Sequence, residues 1–460
     1  MDQLTEFLPA IGQGMLMTVL IAVLSVAGCV PVSLILGISR RARNDLVRSM
    51  AGSIIELLRG ASVLIYLFWV YYALPAVPGM PRFDPVTVSI VVLSLVGGAY
   101  GAEIVASGLQ AVPRGQAEAS QALGLSKYRT FSLVVIPQAL SQIVPAFSSL
   151  AIDMVKWTSV ASFVGVQDLL SVANTIRTST YATVSTYRRR RPLFSALSAD
   201  QLVVRTRRAR TAAQSCAARR WHAGRKTRNA AAGAQLRGAP AMSWDWSYAV
   251  SILPELLWGV LVTLLITIAC SAIALVGGLL IAIAQVSSGR VVHLSTRAIQ
   301  EIFRGVPILV LLYFGFYALP EIGVLLPGAV VGVLVLGIVY AAYCAEVYRG
   351  ALITIPPGLR DASIALGLSP FVMWVRVLVP IAVRKSMPAL VNYVLVLYKQ
   401  SSFLFAIGVP VLLAQAQLAG YQSFRYLEPY TIAGILYVLM NVPFVLYQRR
   451  FMLRLSASGA

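Results

Sequence analysis

The chain has 460 residues, of which 58% are hydrophobic and only 12% charged. That is too apolar for a soluble domain of this length, and several runs reach the roughly 20 apolar residues needed to cross a bilayer, so the composition points to an integral membrane protein. The formal net charge of +21 suggests anionic partners, but most of it lies in one segment.

In chain order, a polar start of about 12 residues precedes the first apolar run, Met15 to Leu36. That run has no small-residue cleavage site behind a short apolar core, so it reads as a retained span and not a removed signal peptide. Gly14 and Thr18 return as Gly259 and Thr263, the first sign of an internal repeat. Arg40, Arg41, Arg43 and Arg48 follow the span, with Arg290 and Arg297 in the corresponding place later. By the positive-inside rule this loop faces the cytoplasm and the N terminus lies outside.

A second span is predicted from Glu56-Leu-Leu-Arg59-Gly60 to Leu74-Pro75, matched by Glu301-Ile-Phe-Arg304-Gly305 and Leu319-Pro320. An acid and a base three apart share a helix face, where they can pair near the lipid boundary. A structural pair and a direct solute contact both fit. A third span covers about residues 86 to 110, and its copy 328 to 350, each with a glutamate, Glu103 or Glu346, near the cytoplasmic end. Arg349 stands at helical spacing from Glu346. Ala106 holds that place after Glu103, which leaves Glu103 without a local partner and makes the halves inequivalent.

The next stretch returns with a shift of 243. Glu118-Ala119-Ser120, Gly124 and Pro137 match Asp361-Ala362-Ser363, Gly367 and Pro380, with thirteen residues from glycine to proline in both copies. The Ala-rich first part favours helix. The glycine allows a left-handed turn into a second short helix, and such a pair suits docking in a groove on a soluble partner. A fourth span follows, closed by Lys156-Trp157-Thr158-Ser159 in one copy and Lys399-Gln400-Ser401-Ser402 in the other. These residues fit a pathway element, or a snorkelling lysine with hydroxyls bonding back to the helix.

The second copy has a fifth span, Tyr430 to Tyr447, closed by Arg449 and Arg450. At the matching place the first copy runs into Arg188-Arg189-Arg190-Arg191, then 13 moderately apolar residues containing Asp200. That is short of the roughly 17 a span requires, and each charge at a helix centre costs roughly 2.5 to 3.5 kcal/mol. The first copy is therefore expected to lack its fifth span. From Arg188 to Arg237, fourteen Lys or Arg stand against one acid, so this segment supplies +13 of the net charge. Its composition and lack of periodicity predict disorder or an out-of-frame stretch joining two genes, with Met242 as an original start. A basic arm for anionic lipid or nucleic acid lacks aromatic interleaving, and nucleic acid is not an expected partner.

Cys29, Cys216, Cys270 and Cys344 show no metal-ligand spacing, and His222 and His293 sit in no zinc or nucleophile-activating constellation, so neither metal nor cofactor is expected.

The duplicated stretch, residues 112–137 and 355–380, resembles the cytoplasmic EAA loop of ABC importer permeases. The Lys-x-Thr-Ser element resembles that of the polar amino-acid uptake permeases, the histidine, glutamine, opine and ectoine group. The family usually has a proline three residues after the arginine of the second span; Pro307 supplies it in the second copy, and Ser62 stands there in the first. The resemblance implies an all-α inner-membrane protein of two tandem permease repeats of about five transmembrane helices. The domains would be 1–187, truncated, a linker 188–241, and 242–460.

By the same resemblance, Glu118, Ala119, Gly124, Asp361, Ala362 and Gly367 would be the coupling contacts, with Asp361 shorter than the family's glutamate. Glu56, Arg59, Glu103, Lys156, Thr158, Ser159, Glu301, Arg304, Glu346, Lys399, Ser401 and Ser402 are the pathway candidates. The implied partners are two ATPase subunits, an extracytoplasmic solute-binding protein, membrane lipid and, if the first repeat is broken, another permease subunit. The sequence has no phosphate-binding G-x-x-x-x-G-K-[ST] loop, so the chain is not expected to be an enzyme. Two alternatives stay open: a secondary transporter with repeated halves, whose repeats are commonly inverted, and a frameshifted fusion in which only 242–460 works. Glu56, Glu103, Asp153, Glu301 and Glu346, the acids in or near spans, could attract a cationic or zwitterionic solute, or simply serve helix packing.

Overall fold

The structure, a computed structural model, describes residues 2–180, 244–287 and 289–457; the predicted linker 188–241 lies outside the described residues. Among those residues there are helices and connecting turns and no strand.

The first half opens with α1 (Asp2–Ser39), α2 (Asp45–Gly60) and α3 (Val63–Phe68), the last running on through a π turn. It continues with α4 (Pro85–Ala111), the short α5 (Arg114–Ala122) and α6 (Lys127–Thr130), α7 (Ile136–Trp157) and α8 (Leu169–Thr180). Caps set several starts: Asn44 Oδ1 accepts from the Leu46 N–H at 2.9 Å and Asp84 Oδ2 from the Thr87 N–H at 2.9 Å. The second half repeats the order. It comprises α9 (Trp246–Ser251), α10 (Leu253–Ser287), α11 (Arg290–Gly305), α12 (Ile308–Tyr317), α13 (Gly328–Ile353), α14 (Pro357–Ala365), α15 (Pro370–Met373), α16 (Val379–Gln400), α17 (Leu412–Ser423) and α18 (Leu427–Ala457).

Six continuous helical stretches are long and apolar enough to cross a membrane, three in each half. The predicted second span is not one straight helix. It is broken, by 96° between α2 and α3 and by 100° between α11 and α12. In the second half Pro307 explains the break: it forces Val306 out of the helical region, to φ −82°, ψ 137°. Ser62 needs a different reason. Its hydroxyl lies 2.7 Å from that of Ser402 in the other half, a buried hydrogen bond that a proline at 62 would forfeit.

Within each half the first and third spans pack closely, α1 on α4 and α10 on α13. Small residues permit this: a Cβ on Gly278 would come within 2.7 Å of the Cys344 Cβ and 3.0 Å of the Ala341 carbonyl oxygen. Cys29, Cys270 and Cys344 are buried and free, as small core residues.

The predicted fifth span is the helix α18, and it crosses to the first half. Trp69 donates to the Thr431 hydroxyl at 2.9 Å, and Phe68 packs on Tyr430 with ring centroids 5.6 Å apart. Its start is pinned by the N-terminal residues of its own half, where the buried Glu428 carboxylate accepts from the Asp245 N–H at 3.1 Å and from Arg425 at 2.7 Å. The equivalent slot against the second half is uncovered among the described residues. Ile65, under α18, is 2% exposed and its counterpart Val310 is 39%; Leu395 is 5% exposed and its counterpart Ile152 is 59%. The stretch in which the first half is expected to lack its fifth span, after Tyr187, lies outside the described residues.

Candidate translocation pathway and coupling loops

The two coupling loops share one geometry. α5 and α14 each end in a Schellman turn, in which the Leu125 N–H bonds to the Ser120 carbonyl and the Leu368 N–H to the Ser363 carbonyl, both at 3.1 Å. Gly124 at φ +83° and Gly367 at φ +70° make that reversal, which any other residue would adopt with strain. The chain then enters α6 or α15, capped by Ser126 or Ser369. Ser120 is buried and donates to the Thr130 hydroxyl at 3.2 Å, tying the two short helices together. Each helix then runs through a π turn, Phe131–Val135 or Trp374–Leu378, just ahead of Pro137 or Pro380. A proline has no N–H and its ring crowds the preceding turn, which a π turn accommodates. Glu118, Ala119, Gly124, Asp361, Ala362 and Gly367 all sit on the exposed face, beside exposed Leu123 and Leu366.

Between the halves lies a cavity of about 270 Å³. The broken second spans, α4, α7, α13 and α16 enclose it, with Tyr100, Asp153, Lys156, Ser159, Tyr343, Asn392, Tyr393, Lys399 and Gln400 among its lining. The two lysines occupy equivalent positions and do different things. Lys156 donates to Asp153 at 2.9 Å and lies 3.5 Å from the Tyr343 hydroxyl. Lys399 has Val396 where Lys156 has Asp153, and it donates across the interface to the Arg59 carbonyl at the C-terminal end of α2. Cations are favoured at that end of a helix. Gln400 Oε1 is buried with no hydrogen-bond partner among the described residues.

Beside this cavity lies a polar one of about 250 Å³, lined by Arg40, Glu56, Arg59, Tyr100, Glu103, Asn392, Lys399 and Asn441 among others. Glu103, which the sequence leaves without a local partner, is met by Arg59 at 3.1 Å. In the second half the local pairs form as expected: Glu301 with Arg304 at 3.7 Å, and Glu346 with Arg349 Nε at 3.2 Å. Arg59 lies over the Tyr100 ring at 5.1 Å and Arg304 over Tyr343 at 5.2 Å, so the repeat preserves the cation–aromatic contact while the carboxylate partners diverge.

Of the pathway candidates, Glu56, Arg59, Glu103, Lys156, Ser159 and Lys399 line one of these two cavities. Thr158, Glu301, Arg304, Glu346, Ser401 and Ser402 line neither. The hydroxyls largely bond back to their own helices, Thr158 to the Val155 carbonyl at 2.7 Å and Ser401 to that of Tyr398 at 2.6 Å. Tyr343, Asn392, Tyr393, Gln400 and Asn441 were not among the sequence candidates. The offset of 243 held one clue, since it places Asp153 opposite an apolar Val396.

Residues 29–199 and 274–457 match the family of binding-protein-dependent transport system inner membrane components. The chain belongs to this family. It is an inner-membrane permease component of a binding-protein-dependent ABC importer, with the permease unit present twice in tandem, and the component itself is not catalytic. A probable amino-acid ABC transporter permease of Sinorhizobium fredii is 34% identical over 205 residues, 44% of this chain and 89% of that protein. The glutamine transport system permease of Escherichia coli is 32% identical over 217 residues, 47% of this chain and 99% of that protein. A crystal structure of an amino acid ABC transporter with histidines is 31% identical, covers 46% of this chain and all of that one, and superposes with a TM-score of 0.43. Single permeases of that size match less than half of this chain. The family membership favours neither the secondary transporter nor the fusion with one working half.

Proposed function

We propose that this permease carries amino acids that bear both an ammonium and a carboxylate group, and that the cavity between its halves is where they pass. The observation that carries the reading is one acid among two lysines at the interface: Asp153 and Lys156 at 2.9 Å, Lys399 from the other half, and the unpartnered Gln400 carbonyl. Asp153 and Gln400 would take the solute ammonium, with Tyr100 and Tyr343 offering ring faces, while Lys156 and Lys399 take the carboxylate. Two relatives named for amino-acid or glutamine transport support the solute class. A volume of about 270 Å³ suits one small amino acid.

In this reading, the residues 1–187 and 242–460 act as two permease units joined by 188–241. Two separate ATPase subunits each receive one exposed coupling loop through Glu118, Ala119 and Gly124 or Asp361, Ala362 and Gly367, and hydrolyse the ATP. An extracytoplasmic binding protein delivers the solute. Coupling requires the loops to bind the two ATPase states with different free energies. The test is competition for uptake of a labelled amino acid by proteoliposomes holding the chain with its ATPase and binding protein. Intact amino acids should compete, whereas analogues lacking either the amino or the carboxyl group should not. Equal competition by a decarboxylated amine would refute the two-charge cavity.

A further inference from the structure

A pocket of about 460 Å³ opens where α1 ends, between the start of α2 and the last turns of α4, and its lining includes Arg40, Arg41, Arg48, Ser107 and Gln110. Its one acid, Glu103, is engaged by Arg59 at 3.1 Å, so it does little to offset the arginines. Arg48 pairs with exposed Asp45, while Arg41 is exposed. Arg40 is seated: its guanidinium lies over Gly52, and a Cβ at that position would collide with it.

The described residues at the corresponding positions of the second half are different. Arg40, Arg41 and Arg48 correspond to Gln285, Val286 and His293, and Ser107 and Gln110 to Gly350 and Ile353. Ala106 corresponds to Arg349, which turns to Glu346 at 3.2 Å. Gln285 there is neutral, and its amide N–H donates to Gln300 at 2.8 Å, which in turn donates to the Ala342 carbonyl at 2.8 Å. The second half carries its own cytoplasmic arginines, Arg290 and Arg297, but at the positions of Asp45 and Gly52, so the cluster of Arg40, Arg41 and Arg48 is not repeated position for position.

We propose that this pocket binds a phosphate group, that of an anionic phospholipid of the cytoplasmic leaflet. Its depth argues for lipid, because Arg40 and Arg41 directly follow the end of a span and therefore stand at headgroup level on the cytoplasmic side. Three guanidinium groups supply the charge-assisted donors a phosphate needs, and Ser107 and Gln110 add neutral ones. Arg40 and Glu103 also line the inner polar cavity, so a bound headgroup touches the wall of the pathway.

The test is native mass spectrometry of the purified full chain equilibrated in mixed micelles of phosphatidylglycerol and phosphatidylcholine. Phosphatidylglycerol should be retained preferentially. The double variant R41Q/R48Q should lose that retention by about tenfold, somewhat less than two free arginines would give because Arg48 shares its charge with Asp45. The variant R290Q/R297Q removes as much cytoplasmic charge from the second half and should retain phosphatidylglycerol as the unmodified chain does. Equal losses in the two variants, or no preference for phosphatidylglycerol, would overturn the site. Displacement by millimolar inorganic phosphate would assign the pocket to a soluble anion and overturn the lipid.

Discussion

Replacing Asp153 with Asn removes one charge from the central cavity at nearly constant shape. Lys156 exchanges its 2.9 Å carboxylate partner for a neutral amide oxygen and keeps the Tyr343 hydroxyl at 3.5 Å. A hydrogen bond to a charged group contributes about 1.5 to 3 kcal/mol. The Asp153 side chain is 46% exposed, which places its hold on a solute ammonium at the lower end, about 1.5 kcal/mol or tenfold in affinity. The assay is the concentration dependence of uptake into proteoliposomes with the ATPase and binding protein present, and the half-saturating concentration should rise about tenfold. The repeat offers a sharper control. Val396 is the counterpart of Asp153, lines the same cavity and stands three residues before Lys399. Moving the carboxylate there, as D153V/V396D, recreates the pair on the opposite wall and should recover most of the loss. If D153N stays within twofold of the unmodified chain, or if the relocated acid recovers nothing, the acid does not meet the solute.

Four further outcomes follow from the geometry. Ile65→Ala opens a hole under α18 and should cost about 2 to 4 kcal/mol, whereas Val310→Ala on the uncovered counterpart should cost under about 1 kcal/mol; thermal melts of both in the same detergent decide, and equal costs would mean that the second slot is also covered. Gly124→Ala or Gly367→Ala places a Cβ at positive φ, costs about 1 to 2 kcal/mol in its loop, and should weaken binding of the purified ATPase without changing the melting temperature by more than a few degrees. Ser62→Ala leaves the buried Ser402 hydroxyl without its cross-half contact at 2.7 Å and should lower stability by about 1 to 2 kcal/mol, with Ser62→Thr milder in the same melt. Burial pushes Asp168, which caps α8 outside the spans by accepting from the Ser171 N–H at 2.9 Å, up to about 6. Because the folded state then holds its proton more tightly than the unfolded one, stability falls as pH rises from about 4 to 6, and by about 3 kcal/mol in total. Asp168→Asn keeps the cap without the charge and should flatten that slope between about pH 4 and 6.

The repeat itself was legible because its marks are chemical: acid, glycine and proline at fixed spacing. The left-handed glycines and the helix pairs around them follow directly from that spacing. The break in the second span was harder to read. Pro307 announces it in one half, but in the first the break at Ala61 comes with a Ser62 hydroxyl bond to a residue 340 positions away, which no local pattern encodes. Glu103 illustrates the same limit. Its missing neighbour at 106 is visible in the sequence, and its actual partner Arg59 is visible only when α2 lies beside α4. The cavity residues Tyr343, Asn392 and Gln400 carry no sequence signal, because a polar or aromatic side chain in a span looks the same whether it faces a neighbour or a pathway.

In the proposed function the two halves of one chain form a single pathway. That is tested most directly by solute-stimulated ATP hydrolysis in proteoliposomes containing the ATPase and binding protein with either the full chain or residues 242–460 alone. Stimulation is expected with the full chain, and little with the fragment, which lacks Asp153, Lys156 and one coupling loop. Stimulation by the fragment equal to or greater than that of the full chain would contradict it.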